Sequence, residues 1–407
     1  MLDSIYVGLT GLTGFSNGLR NISNNVANIN SPGFKGSDLQ FQDLFYHFQA
    51  GVNTNGDQAS LFKGSGLGIG GTTILFKQGE LRQTGGDLDT AIQGNGFFVL
   101  RQDTKTLFTR DGQFIIGADG FLTDRAGDAR IQGLVNGQLV DIDTSPFRIS
   151  PAKPTATVKF AGNLSSGDSD GLQVISNLTV FNVTGGSQTL KVTFTNNGAV
   201  TPRSWLIRVE DAAGNLIDDT GQIQFNGDGS PLDGFTTHTF TLRPPGGVAP
   251  QSVTFDFGIA GGFSGATNFS AGADSTLAVT SQDGFASGAI TKATFDTDGT
   301  LVLTYSNGQT AKPAQLALAW FDFLQGLEPT AGNDFENSAG LTMQLGTAQT
   351  SLFGSITAGS IESANVDLGQ EFTDLVVIQR GYQASSQVIT VANEMIQTLL
   401  DIKGGRG

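Results

Sequence analysis

Residues 365–403 read NVDLGQEFTDLVVIQRGYQASSQVITVANEMIQTLLDIK. Leu368, Leu375, Tyr382, Ile389 and Ile396 recur every seven residues, and Ile378, Ser385, Ala392 and Leu399 form a partner row. Spacings of three and four put such residues on one stripe of an α-helix, and repetition at seven is the period of a coiled-coil seam. The other end of the chain carries a match. In residues 2–29, LDSIYVGLTGLTGFSNGLRNISNNVANI, the row is Ile5, Leu12, Leu19 and Val26, flanked by Phe15, Ile22 and Ile29. The residues between these segments read as strands and turns. First and last segments with matched seams are expected side by side, which points to assembly rather than catalysis.

The N-terminal pattern is interrupted by Gly8, Gly11, Gly14 and Gly18. Each glycine costs roughly 0.5–1 kcal/mol against alanine inside a helix, so four put the penalty at about 2–4 kcal/mol. Isolated helices are already marginal in water. The segment is therefore expected to be frayed in a free subunit and ordered only when packed. Asp3 and Arg20 are its only charges before Lys35. Small polar faces suit a helix with neighbours on several sides. The competing reading is a flexible tail with accidental periodicity. Asn30, Ser31, Pro32 and Gly33 stop the helix.

Residues 34–75 read as an irregular, extended or flexible linker. The run Gly64, Gly66, Gly68, Gly70, Gly71 looks like a dinucleotide loop, but Thr72-Thr73-Ile74-Leu75-Phe76 follows, which is strand-like rather than a helix start. From 76 to 145 the chain shows short β runs. Leu107–Phe114 reads as a hairpin with Asp111-Gly112 at its turn, and Ala118-Asp119-Gly120 repeats the device. Pro146, Pro151 and Pro154 mark a break. Residues 146–284 alternate, as in Thr189–Thr195 and Trp205–Glu210, with Asn197-Gly198, Asn226-Gly227, Asp228-Gly229 and Pro245-Gly246 as turns. That is an all-β sandwich or barrel. Residues 285–324 return to the earlier style, with turns at Asp298-Gly299 and Asn307-Gly308, and 325–361 form a second linker. The expected class is α+β, mostly β. Discontinuous terminal helices (1–33 with 362–407) form a coiled-coil-like inner domain. A β domain (76–145 with 285–324) and an inserted all-β domain (146–284) are nested outside it.

Composition narrows the chemistry. The 407 residues include 57 Gly and no Cys, with 14% charged residues and a net charge of −15. Disulfides and thiolate metal sites are excluded. No segment is basic enough for a phosphate backbone, so nucleic acid is not an expected partner. His47 and His238 are the only histidines, which supplies little imidazole chemistry. No run of 18 apolar residues is present, so no membrane insertion is expected. MLDSIYVGLTGL lacks the basic n-region of a Sec-type signal, so cytoplasmic residence or export without a cleaved signal is expected. The acidic turns Asp168-Ser169-Asp170-Gly171, Asp228-Gly229 and Asp296-Thr297-Asp298-Gly299 do not continue to the Glu of an EF-hand loop and suit hairpin chemistry better than calcium. Asn-x-Ser/Thr triplets begin at Asn163, Asn177, Asn182 and Asn268, as chance allows in an Asn/Thr-rich chain. No P-loop, His-Glu-x-x-His or Gly-x-Ser-x-Gly motif occurs. No enzyme activity and no cofactor are expected.

The ends carry more than periodicity. Asn24-Asn25-Val26-Ala27-Asn28 and Ser31-Pro32-Gly33-Phe34-Lys35-Gly36 closely resemble the N-terminal signature of the bacterial flagellar rod and hook family. Ala364-Asn365-Val366-Asp367-Leu368, Glu371–Leu375 and Gln379-Arg380-Gly381-Tyr382-Gln383-Ala384 resemble its C-terminal signature. Gln93–Phe98, Thr109–Gly112, Ser306–Gln309 and Gln315–Ala319 are similar to its β region and return strand. Gly369-Gln370 departs from the more usual Ala-Glu and weakens the helix start slightly. Rod subunits lack a large inner insertion, so 146–284 favours the hook branch; the alternative is a distal rod subunit with an enlarged insertion.

The resemblance implies a structural subunit, exported by the flagellar type III pathway, that polymerises into a curved tube coupling rod to filament and transmitting torque. It implies terminal helices lining the tube, β domains outside, Gly-rich connectors as hinges, and an extracellular place in the flagellum. Implied partners are other copies, rod, hook cap and hook–filament junction proteins, and the export apparatus.

Overall fold

The computed structural model describes residues 2–44, 46–52, 58–125, 129–167, 171–270, 272, 274–350 and 352–404. It contains two α-helices, α1 (Leu2–Ala27) and α2 (Leu368–Gly404), and otherwise strands and short turns. The class is α+β, mostly β, as the sequence implies. The chain divides into two compact units. Unit 1 is Met1–Ser145, Ala293–Val302 and Lys312–Gly407; unit 2 is Pro146–Lys292 and Leu303–Ala311.

Unit 2 is built from strands whose side chains alternate. In Ser187–Asn196, Leu190, Val192 and Phe194 point inward, and in Ser204–Asp211 Trp205, Ile207 and Val209 do the same. These strands form an antiparallel meander with Leu172–Phe181 and Leu216–Gln224. A second sheet orders Thr237–Leu242, Gln251–Asp256, Thr157–Asn163 and Ala266–Thr267, with Ala278–Gln282 also paired to Thr157–Asn163. The two sheets share one core in which Phe160 meets Phe194, Phe255 and Phe257 at ring distances of 5.0–5.8 Å. This is a sandwich. The turn at Asn307-Gly308 closes a hairpin, with Gly308 N donating to Tyr305 O at 3.0 Å.

Unit 1 holds both helices. After α1 come strands β1 (Ser37–Asp43), β2 (Tyr46–Val52), β3 (Gln58–Gly64) and β4 (Leu67–Ile74). β1 pairs antiparallel with β4, and β2 with β3. The stretch read as an irregular linker is thus a nested antiparallel ladder. The signal is hidden in part because Gly66, at the head of β4, is a close-approach position rather than a flexible joint. A Cβ at Gly66, where φ is +106°, would sit 2.2 Å from Thr10 Oγ1, and one at Gly14 would sit 2.7 Å from Leu67 Cδ2. The ladder packs close against α1 there, with the Leu67 side chain and the Phe41 ring filling the space that Gly14 leaves.

Next come β5 (Leu81–Gln83), β6 (Thr90–Gln93), β7 (Phe97–Gln102), β8 (Lys105–Thr109), β9 (Phe114–Ile116), β10 (Leu122–Asp124), β11 (Arg130–Val135) and β12 (Gln138–Asp141). The expected hairpin at Asp111-Gly112 does not form. β8 pairs with β7 and with Asp334–Glu336, whereas β9 pairs with β10. Gly112 instead passes against β6, where a Cβ would lie 1.5 Å from Thr90 O. The Asp119-Gly120 turn does join β9 to β10. Distant parts of the chain pair with these strands: Leu318–Phe321 joins the sheet at β7, and Ser360–Glu362 pairs with β5 in a separate two-stranded ladder. Phe97, Phe108, Phe321 and Phe335 fill the core.

Candidate functional site

α1 and α2 run antiparallel: Gly8 faces Ile389, Gly11 faces Ser385, Phe15 faces Gly381 and Gly18 faces Ile378. The covered line of α1 is Gly8, Gly11, Gly14, Gly18, Ile22 and Asn25. Ile5, Leu12, Leu19 and Val26 lie beside that line, each half-buried. On α2, Leu375, Ile378, Ser385, Ile389 and Ile396 are half-buried and Ala392 is fully buried. Leu368 and Tyr382 are 41% and 40% exposed, and Leu399, on the Ile378–Ala392 row but beyond the reach of α1, is 50% exposed. Two physical effects separate the covered line from the heptad. A straight helix drifts about 20° per heptad from a strict seven-residue repeat. Glycine also lets the backbones approach, so the small residues, not the large ones, take the centre. A Cβ on Gly8, Gly11 or Gly18 would lie 2.6–2.7 Å from the α2 side chains, and one on Gly381 2.6 Å from the Phe15 ring.

The signature residues converge where the helices leave the β structure. Ala27 ends α1, exposed. Asn28 Nδ2 donates to Asn24 O at 2.9 Å and closes the last turn. Asn25 is buried: its Nδ2 donates to Ser37 O and to Glu371 Oε1 at 2.8 and 2.9 Å, and its Oδ1 accepts from Ser37 N. It therefore ties α1, β1 and α2 together. Asn365 does the same from the other end. Its Oδ1 accepts from Gly36 N at 2.7 Å and its Nδ2 donates to the carbonyls of Leu75 and Lys77, while its own N–H reaches Phe34 O at 3.4 Å. Asp367 caps α2, accepting from Gly369 N at 2.8 Å and Gln370 N at 3.2 Å. That cap offsets the weak helix start at Gly369.

Beneath them lies a buried charge cluster. Lys35 Nζ donates to Glu362 Oε1 at 2.5 Å and to Lys77 O at 3.0 Å. Arg110 donates to Glu362 Oε2 at 3.1 Å and to Gly94 O at 2.9 Å, with its guanidinium 5.2 Å from the Phe97 ring centre. Gly79 N also donates to Glu362 Oε1, and Gly33 N to Glu362 O. All three charged side chains are 5% exposed or less. Burial lowers the pKa of Lys35 and of Arg110, and Glu362 opposes both shifts. Gly33 makes the cluster possible: its φ is +69°, and a Cβ there would sit 2.4 Å from Asp111 N. Beside Arg110, burial pushes the carboxyl of Asp111 up to about 6 and that of Asp334 up to about 7, helped in both cases by Asp124.

Glu362 was not singled out from the sequence, and Arg110 appeared there only within a motif. A lone Glu after Ser360-Ile361, in strand rather than helix, is the one signal available, and its partners lie 252 and 327 residues away. Among the acidic turns, Asp228 Oδ1 accepts from Ser230 and Asp298 Oδ1 from Thr300 N, so each closes its own turn. Asp168–Asp170 lies outside the described residues. His238 pairs with Asp218 at 2.7 Å.

Three family models match: "Flagella basal body rod protein" at 5–35, "Flagellar hook protein FlgE/F/G D1 domain" at 91–202, and "Flagellar basal body rod FlgEFG protein C-terminal" at 357–402. The flagellar hook protein FlgE of Treponema pallidum is 30% identical, with 99% of this chain and 100% of that one covered. That of Escherichia coli is 29% identical, at 97% and 98%. A solved structure, the Helicobacter pylori flagellar hook protein FlgE2, is similar over 68% of this chain and 98% of that one, with TM-score 0.45 and 14% identity. The assignment rests on the sequence relatives, which match nearly from end to end. The chain belongs to the flagellar hook protein family.

Proposed function

We propose that this chain is a structural subunit of the bacterial flagellar hook, polymerising with its own copies into a curved, flexible tube that couples rod to filament and transmits torque. One observation carries the reading. α2 carries apolar side chains well beyond the face that α1 covers. Phe372, Val376, Val377, Val388, Val391 and Met395 are all 42–63% exposed. Apolar helix surface of that extent left in water marks an interaction face. Each such side chain removed from water contributes roughly 1.5–3 kcal/mol, which must exceed the cost of ordering the helices.

In this reading 1–33 and 362–407 line the tube, and 76–145 with 285–324 and 146–284 lie outside, with 34–75 and 325–361 between. The seam residues of both helices meet neighbouring copies. The chain reaches the cell exterior through the flagellar type III pathway without a cleaved signal. A sequence with no cysteine is easily passed unfolded. Rod, hook cap and hook–filament junction proteins are its further partners.

Purified chain should form curved tubes under negative stain, and Leu19→Asp or Leu375→Asp should abolish them while the strand signal in circular dichroism stays unchanged. Straight tubes would favour a distal rod subunit. Tubes from either variant would overturn the role given to the seam.

A further inference from the structure

Unit 1 is assembled from both ends of the chain. β7 pairs with Leu318–Phe321, β8 with Asp334–Glu336, β6 with Ser355–Ala358 and β5 with Ser360–Glu362. The buried cluster joins Lys35 to Glu362, 327 residues apart, and Asn25 meets Glu371 across 346. Each of these contacts closes a loop that contains Pro146–Lys292, most of unit 2. Unit 2 is built the other way. Its meander runs through four strands consecutive in sequence, Leu172–Phe181, Ser187–Asn196, Ser204–Asp211 and Leu216–Gln224, each paired with the next. Contacts so near in sequence form early, because little chain entropy is lost in making them. The second sheet closes on the same core. Unit 2 also draws its own ends together. Ile149 pairs with Ala289 and Ser150 with Gly288, Lys153 N donates to Phe285 O at 3.0 Å, and Tyr305 Oη donates to Phe147 O at 2.7 Å.

We propose that unit 2 is a folding clamp: it closes first, and its closure is the condition for unit 1, and with it the root of the helix pair, to form. The cause is loop entropy. With unit 2 open, the two arms of unit 1 are separated by about 150 residues of free chain; with the Ile149–Ala289 pair made, about ten remain. The probability of closing a loop falls roughly as the −3/2 power of its length, so the clamp favours formation of unit 1 about fiftyfold. Both helices belong to unit 1. A chain whose unit 2 is open therefore offers no anchored helix pair for association. The clamp acts in the free monomer and stands apart from the hook-subunit reading.

Refolding of the full chain tests this. The two tryptophans report separately, Trp320 from unit 1 and Trp205 from unit 2. Phe160→Asp puts a carboxylate against the rings of Phe194, Phe255 and Phe257 and opens unit 2. Brief unfolding in urea keeps prolines in their native isomers. The Trp320 refolding phase of this variant, in a Trp205→Phe background, should then be about fiftyfold slower than that of the Trp205→Phe parent. A disulfide supplies the closure without the fold. The chain has no cysteine. Ile149 and Ala289 are both exposed and are antiparallel neighbours, closer than the limit of about 7 Å between Cα atoms that a disulfide can span. Ile149→Cys with Ala289→Cys, added to Phe160→Asp and oxidised at high dilution, should bring the Trp320 rate back to within about threefold of the parent, and reduction should slow it again. Glu362→Ala should leave the Trp205 refolding phase, read in a Trp320→Phe background, unchanged. A Trp320 rate untouched by Phe160→Asp, a slowing that the disulfide does not relieve, or a Trp205 phase slowed by Glu362→Ala would overturn the clamp.

Discussion

Glu362→Ala should cost unit 1 about 3–5 kcal/mol, the loss expected when one member of a buried ion pair is removed and its partners stay behind. Here two partners stay. Lys35 and Arg110 would keep their burial and lose the carboxylate that each contacts, at 2.5 and 3.1 Å. Gly79 N and the α1–β1 connection would lose an anchor as well. Lys35→Met should cost less than half as much, because Arg110 still neutralises Glu362. The two tryptophans make the measurement clean. Trp320 lies in unit 1 and Trp205 in unit 2. Urea unfolding followed through Trp320 in a Trp205→Phe background should show the loss. Through Trp205 in a Trp320→Phe background, the same substitution should change nothing. A Glu362→Ala midpoint within about 1 kcal/mol of wild type would mean that water reaches the cluster.

Replacing Gly8, Gly11, Gly14 and Gly18 together with alanine sets two physical effects against each other. Helix propensity alone predicts a gain of about 2–4 kcal/mol. Packing predicts the reverse. Each added methyl meets a side chain at 2.6–2.7 Å, and overpacking costs typically about 1–3 kcal/mol per site. A single site can relax, since Ile378, Ile389 and Leu67 have rotatable ends. Four in a row leave nowhere to move, so packing should win by several kcal/mol. The expected result is assembled polymer that melts well below wild type or fails to form. A quadruple variant with a more stable polymer would show that α1 stands off from α2.

The same glycines show where sequence and structure part. Apolar period and chain-end symmetry were enough to find α1 and α2, because a long helix repeats its signal many times. Strict alternation, as in Leu190, Val192 and Phe194, marks unit 2 as all-β but does not choose between sandwich and barrel, because that depends on how its two sheets pair. Glycine was misread because its two uses look alike in sequence. At Gly66 and Gly18 it marks close approach, not looseness, and only the opposing Thr10 and Ile378 reveal which. Asp111-Gly112 carried hairpin chemistry but serves a crossing, since β8 finds its partners in β7 and Asp334–Glu336. Glu362 leaves only the weak local trace of a lone carboxylate in a strand. A buried carboxylate is recognisable by its cations, and both come from far along the chain.

The motif residues behaved differently. Asn25, Gly33, Lys35, Asn365 and Asp367 were quoted as a signature without individual roles. Each has one in the structure: a bridge from α1 to α2, a positive-φ contact on Asp111, a buried cation, a bridge to β4's end and a helix cap. They fix the root of the helix pair firmly. Beyond the root, the pair holds together through one narrow face, and most of α2's apolar surface is left in water.

Amide hydrogen exchange along α1 and α2, compared between dilute monomer and assembled polymer, tests that imbalance directly. Beyond that root, residues 2–18 and 381–404 should exchange nearly unprotected in the monomer and at least about a hundredfold more slowly in the polymer, while Ser187–Asn196 and Ser204–Asp211 stay equally protected in both. Helices already as protected in the dilute monomer as in the polymer would contradict the claim that their order comes from neighbouring copies.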